Sequence, residues 1–279
     1  TPMADVDVPV DVEEVATLWG PTTASAVQAG FHPVASSGLN GEPDMRYFPD
    51  DYEVDDIELV AEPREVNFEA LAVVDPDLII GAQVPHLEDA YDRLSDIAPT
   101  VLLDYAGTGA WRDTHVEVAE VLGVAEEDAQ AAEDEYQQRV DEVSAAVGLD
   151  DEPMNVSLVR VQAGDEIRVE TPESFPGQVL DDVGFDRPEN QQSPDEDSDF
   201  ISLSLERIPE VDAPTIIATY YFGGETEPAW ESLQDQRLWQ ELPAVQSGDV
   251  IEADYEHWGA SNYYAAHRIL DDIEAALGS

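Results

Sequence analysis

The residues of this 279-residue chain best suited to chemistry are a few arginines and aromatics at the ends of short apolar runs. Trp19 follows a run over 15–18, Gln83 and His86 follow one over 78–81, and Tyr105 ends one over 101–105 with Trp111 just beyond. Further along, Arg160 falls in the last turn of a run over 155–161, Tyr220 and Tyr221 close one over 216–221, and Trp258 follows one over 250–253. Arg64 lies between a strand-like run over 58–61 and a helical pattern over 67–74. A guanidinium offers a planar fork of N–H donors that matches ligand oxygens. Aromatic rings supply flat apolar area, with a polar tip in Tyr and Trp. The set suits a binding cleft, because ligands of open parallel sheets sit at the C-terminal ends of the strands.

Catalytic and metal motifs are thin by comparison. The chain has no Cys and no Lys, which removes disulfides, thiolate sites, a phosphate-loop lysine and Schiff-base chemistry. No Gly-x-Ser-x-Gly elbow occurs, and in Gly107-Thr108-Gly109 the third position of a dinucleotide turn is taken by Arg112. The five histidines, His32, His86, His115, His257 and His267, form no close-spaced ligand pair. No cofactor and no resident metal are expected, and the chain reads as a non-enzyme.

Composition sets the surroundings of these residues. Eleven Arg against 64 Asp and Glu give a net charge of −53, with the acids spread along the whole chain. So much like charge repels itself in dilute buffer, whereas in molar salt the screening length shrinks to about 3 Å. This resembles the acidic proteomes of extreme halophiles, and a nucleic-acid partner is excluded because nothing neutralises a phosphate track. Apolar residues reach 43%, enough for real cores, and no apolar run is long enough to span a membrane. The abrupt start at Thr1-Pro2-Met3 suits a processed or trimmed mature domain.

The elements that must hold the candidate residues alternate in type. Strands are predicted over 15–18, 33–36, 58–61, 78–81 and 101–105, with helices over 22–30, 67–74, 88–97 and 112–122. In the helix predicted over 125–147, Ala129, Ala132, Tyr136, Val140, Val143 and Val147 recur every three or four residues while acids fill the other face. Gly148 and Pro153 then end it. The alternation restarts with strands over 155–161, 166–170, 216–221 and 250–253 and helices over 174–183, 228–240 and 260–277, the acidic stretch 188–198 being a loop. The predicted fold is α/β: two Rossmann-like lobes with mainly parallel sheets, 1–123 and 151–279, joined by one long helix within 124–150.

Several segments resemble the periplasmic-type binding proteins of iron-siderophore and vitamin B12 importers. Val66-Asn67-Phe68-Glu69-Ala70-Leu71 and Asp75-Pro76-Asp77-Leu78-Ile79-Ile80 resemble that family's Asn-x-Glu and Pro-Asp-Leu-Ile signature. Leu94 and Ile97-Ala98-Pro99-Thr100-Val101 fit the next helix and strand. Ser174-Phe175-Pro176-Gly177, Arg187-Pro188, Ser204-Leu205-Glu206, Leu238-Trp239-Gln240, Pro243-Ala244-Val245, Trp258 and Ile269-Leu270-Asp271-Asp272 follow in the family's order. The resemblance implies a ligand held between two lobes, export, and commonly a lipid anchor on a Cys that would precede Thr1. It also implies docking on an ABC permease through one acidic side chain per lobe, by position Glu88 and either Glu227 or Glu231. The implied ligand is a ferric siderophore, expected to be of the hydroxamate type, captured outside the cytoplasm by a monomer. Two features depart from the hydroxamate binders: Arg64 is offset by one position, and Gly81-Ala82-Gln83 lacks an aromatic.

The competing expectations are cobalamin or haem, with His86 or His257 as an axial ligand, an α/β metal-chelate enzyme, and a cell-surface adhesion domain.

Overall fold

The computed structural model describes residues 6–149, 154–192, 198–224 and 226–278. The chain divides into two compact units, and the division falls inside the long helix, between Glu135 and Tyr136. The first unit runs through Ala106 and adds Ala110–Glu135 and Asn262–Tyr264; the second comprises Gly107–Gly109, Tyr136–Ser261 and the chain from Ala265 onward.

The first unit is built from β1 (Val15–Thr17), α1 (Gly20–Gln28), β2 (Ala35–Leu39), β3 (Glu42–Pro43), β4 (Glu58–Glu62) and β5 (Glu65–Val66). It continues with α2 (Phe68–Val74), β6 (Leu78–Ala82), α3 (Pro85–Glu88), α4 (Tyr91–Ser95), β7 (Thr100–Leu103) and α5 (Trp111–Val121). The sheet order is β5-β4-β2-β1-β6-β7, with β3 paired to β2. Strands β4, β2, β1, β6 and β7 pair in parallel, while β3 and β5 are antiparallel additions. Successive residues of the central strands feed two cores. Ile79 and Leu102 pack with Leu71, Leu87 and Leu94 on one face, and Leu78, Ile80, Val101 and Leu103 with Val118 and Leu122 on the other. A strand covered on both faces has no polar side to show, which explains the unbroken apolar run at Leu78–Ala82. Asn67 caps α2 by accepting from the Ala70 N–H at 3.1 Å, so the Asn of the Asn-x-Glu segment is a helix-start residue.

Helix α6 (Glu126–Val147) has 22 residues, about 33 Å at the usual rise per residue. Its buried positions include Ala129, Ala132, Tyr136, Val140 and Val143, the stripe predicted from sequence.

The second unit contains β8 (Val156–Val161), β9 (Glu166–Glu170), α7 (Phe175–Val183), β10 (Phe200–Ser204), β11 (Thr215–Tyr220), α8 (Glu227–Gln234) and α9 (Arg237–Gln240). It ends with α10 (Pro243–Ser247), β12 (Val250–Asp254), α11 (Tyr255–Trp258) and α12 (Tyr263–Leu277), whose first two residues count with the first unit. The sheet order is β10-β9-β8-β11-β12, parallel over β8, β11 and β12 and antiparallel at β9 and β10. Val159, Ile167, Val169, Ile216 and Ala218 pack on Trp230 and Trp239. Ser174 caps α7 by accepting from Gly177 N–H at 3.1 Å, and Gly184 ends that helix with φ 104°.

Both folds agree with the α/β expectation, and the differences are local. The single helix predicted over 88–97 is two short ones, because Pro85 presets an earlier start. The helix predicted over 228–240 breaks at Gln236, whose ψ of 130° is extended. Strand β10 was hidden at the edge of the acidic stretch expected to be a loop; residues 193–197 of that stretch lie outside the described residues. The Gly107-Thr108-Gly109 turn serves packing: a Cβ on Gly109 would overlap the Glu173 carbonyl oxygen, and the Thr108 N–H and hydroxyl both donate to Asp199.

Candidate functional site

In the second unit, the C-terminal ends of the parallel strands gather a basic and aromatic cluster. Arg160 sits one residue from the end of β8 and pairs directly across the antiparallel ladder with Arg168 of β9, so both side chains leave the same face of the sheet. Phe200 of β10 lies beside them, its ring centroid 3.9 Å from the Arg168 guanidinium carbon and 5.6 Å from that of Arg160. Tyr255 follows β12 and opens α11; its ring lies 4.8 Å from Arg160, whose Nη1 donates to the Tyr255 hydroxyl. Tyr221, just past β11, meets Tyr255 edge to face at 5.3 Å. These five side chains are half-buried, neither sealed in the core nor fully solvated.

Arg168 is one of four arginines, with Arg64, Arg93 and Arg187, that sit in no ion pair among the described residues. Arg46, Arg112, Arg139, Arg160, Arg207 and Arg237 each sit in an ion pair with a nearby acid. Arg168 has no such carboxylate among the described residues, in a chain with 64 acids. Burial, and next the neighbouring charge of Arg160, pull its guanidinium below the ordinary value. Two facing guanidiniums, one without a carboxylate, are an arrangement that an anionic oxygen ligand would satisfy.

In the first unit, the strand ends carry a less charged set. Trp19 follows β1 and meets Tyr105, beyond β7, edge to face at 5.2 Å; Tyr105 is 42% exposed. Gln83 is pinned past β6 by its backbone N–H to Leu103 O at 2.8 Å, and its side chain reaches Leu102 O at 3.4 Å. His86, in α3, is held below its ordinary pKa first by burial and then by the charge of Arg64. Arg64 is exposed at the tip of the β4–β5 hairpin, with φ 72° after Pro63. A non-glycine residue in that region costs roughly 1 kcal/mol, so the turn fixes where this cation stands.

Three expected contacts have other work. Trp111, 2% exposed, packs edge to face on Tyr263 at 4.8 Å. Trp258, 1% exposed, donates its indole N–H to Asp272 at 2.8 Å. Tyr220 stacks on Trp230 and donates its hydroxyl to Glu252 at 2.5 Å. Half of the aromatic excess at these strand ends therefore builds core. Glu88, Glu227 and Glu231 are exposed. His257 is engaged with Asp272 at 2.7 Å, and among the described residues no group of three or more His, Cys, Asp or Glu is placed to hold a metal ion.

Arg168, Phe200 and Tyr255 escaped the sequence reading. One signal was available: a hairpin closing at Gly164 pairs residues equidistant from it, and Arg160 and Arg168 each lie four positions away.

A strand-end site of this kind in a two-unit α/β chain invites comparison with binding proteins. Residues 29–256 match the family model described as periplasmic binding protein. This chain belongs to that family. This periplasmic binding protein is 34% identical to a probable siderophore-binding lipoprotein, YfiY of Bacillus subtilis, over 96% of its own length and 83% of the relative's. It is similar to the siderophore periplasmic binding protein from the fuscachelin gene cluster of Thermobifida fusca, at 30% identity and a TM-score of 0.72, covering 98% and 99% of the two chains. Against Staphylococcus aureus SirA complexed with staphyloferrin B the TM-score is 0.82 at 26% identity, covering 98% and 95%. The family and these neighbours are binding proteins, not enzymes.

Proposed function

We propose that this protein captures an anionic ferric siderophore outside the cytoplasm and hands it to an ABC permease. The observation that carries the reading is the Arg160–Arg168 pair flanked by Phe200, Tyr255 and Tyr221. Guanidiniums donate to the chelate's oxygens, and the rings cover its carbon framework. The named ligands of its relatives support an iron chelate as cargo. Iron arrives inside the chelate, so the protein supplies no metal ligand.

The charge of the pair favours a carboxylate or catecholate chelate over the hydroxamate expected from sequence. Three singly charged hydroxamates cancel the charge of ferric iron, whereas three doubly charged catecholates overshoot it and leave the complex anionic. On the first unit, Trp19, Tyr105, Gln83, His86 and Arg64 are the candidate ligand contacts. Glu88 with Glu227 or Glu231 provides exposed carboxylates for permease docking, and the protein works as a monomer tethered by a lipid anchor.

The test is Trp fluorescence in multimolar salt, titrated with ferric citrate, a ferric tricatecholate, a ferric trihydroxamate, cobalamin, haem and free ferric ion. Saturable quenching by the anionic chelates supports the reading. Preference for the trihydroxamate returns the ligand to the class expected from sequence, and silence across the panel from a folded protein overturns the receptor function.

A further inference from the structure

Behind the Arg160–Arg168 pair lies a buried carboxylate that is shared among several cations rather than paired with one. Glu170 ends β9, two residues beyond Arg168 and so on the same face of the strand, and is 3% exposed. Its Oε1 lies 3.0 Å from Arg160 Nε, yet the N–H is not aimed at it: both atoms lack a hydrogen-bond partner among the described residues. Arg187, 8% exposed, donates Nη2 to the Glu170 backbone oxygen and leaves Nε and Nη1 without partners. A single buried carboxylate thus answers three of the chain's eleven arginines, contributed by β8, by β9 and by the segment after α7.

The groups that act on it from every side can be named. Arg160, Arg168 and Arg187 favour its charged form, and Asp199, ahead of β10, opposes it. The Tyr255 hydroxyl, from α11, is pushed upward by burial first and then by Glu170. Burial outweighs the three cations, and the Glu170 carboxyl is raised to about 7.

We propose that Glu170 is the counter-ion that positions Arg160 and that its carboxylate takes up a proton when an anionic chelate binds. This rests on the anionic-siderophore reading above. Ionised Glu170 draws on Arg160 through Nε, which weakens the field that Arg160 and Arg168 offer to a ligand. An anion brought against those guanidiniums repels the buried carboxylate, which relaxes by accepting a proton from solvent on a carboxyl oxygen. Protonation then leaves both cations to the ligand. Affinity for an anionic chelate therefore rises as pH falls through neutrality. The same device discriminates between ligands, since a neutral chelate does not drive the proton onto Glu170.

The experiment measures Kd for ferric citrate, a ferric tricatecholate and a ferric trihydroxamate between pH 6 and 8.5, together with proton uptake by titration calorimetry in buffers of different ionisation enthalpy. If the bound anion raises the Glu170 pKa by one unit, the anionic chelates bind about tenfold more tightly at the acid end, with fractional proton uptake near neutrality. Glu170→Gln is expected to hold the tight value across the range and to abolish uptake. Uptake by the wild-type protein supports the coupling even where the variant folds poorly. Anionic binding with no uptake and a flat pH profile overturns the role of Glu170 while leaving the receptor reading intact; no binding of any anionic chelate overturns both. Titration of His86 would persist in Glu170→Gln, and a pH profile unchanged by that substitution also overturns the proposal.

Discussion

Replacing Arg168 with Met isolates the charge that the cluster carries without a carboxylate of its own. Met keeps an unbranched apolar stem over the Phe200 ring, where the guanidinium carbon now sits at 3.9 Å, and removes only the cation and its donors. The fold should barely notice. No close ion pair is broken, the lost cation–π contact is worth about 0.5–1 kcal/mol at a partly exposed site, and the lost attraction to Glu170 and Glu166 is set against relief of repulsion from Arg160. Binding should notice a great deal. A hydrogen bond between charged groups contributes about 1.5–3 kcal/mol, so Kd for an anionic ferric chelate weakens by roughly 10- to 150-fold. Fluorescence titration measures the affinity, and a thermal melt in the same buffer confirms that the fold is intact. A change under threefold, with an unchanged melt, refutes the assignment of Arg168 to the ligand.

Other consequences follow from the same structure. Trp258→Ala empties a site that is 1% exposed and strips Asp272 of an indole donor, so it costs about 3–5 kcal/mol and lowers Tm by roughly 6–20 °C, while affinity at low temperature moves far less than in Arg168→Met. The Glu170 carboxyl titrates near 7 when folded and near 4.5 when unfolded, so the native state holds the extra proton between those values and stability falls as pH rises through that window. Melting curves from pH 5 to 8 should show that decline in the wild type and a flatter profile in Glu170→Gln; equal slopes refute it. With a net charge of −53, lowering salt from multimolar to millimolar should reduce Tm and slow association of an anionic chelate, because repulsion then reaches about 30 Å rather than 3 Å. Circular dichroism and stopped-flow fluorescence check the two parts, and a fully stable fold with a salt-independent on-rate contradicts both.

Most of the fold was legible because its signals are local. The run at Leu78–Ala82, the stripe along α6, the Ser174 cap and Gly184 each fix an element without help from distant residues. The site was legible only in part, because membership depends on pairing. Arg160 advertises itself at a strand end, whereas Arg168 lies mid-strand, and its importance appears only once β8 and β9 are in register. Tyr255 had to be told from Trp258 three residues on, and burial makes that distinction: the indole turns inward to Asp272 while the phenol turns to Arg160. Phe200 stood beside an acidic stretch whose composition hid an edge strand.

The placement of the arginines argues for function more strongly than their number. In a chain this acidic, a cation on the surface finds a carboxylate at little cost, and Arg139, Arg207 and Arg237 each do so on helical or loop positions. Such exposed pairs contribute little to stability. Burying Arg187 and half-burying Arg160 and Arg168 around one carboxylate is the opposite choice, since desolvating several like charges is costly unless something repays it. Packing does not repay it, because an apolar trio would fill the same space better. Long-range steering does not either, because the rest of the molecule repels anions and salt screens what remains. The proposed function repays it by contact chemistry, an anionic ligand held against these guanidiniums at the distance of a hydrogen bond.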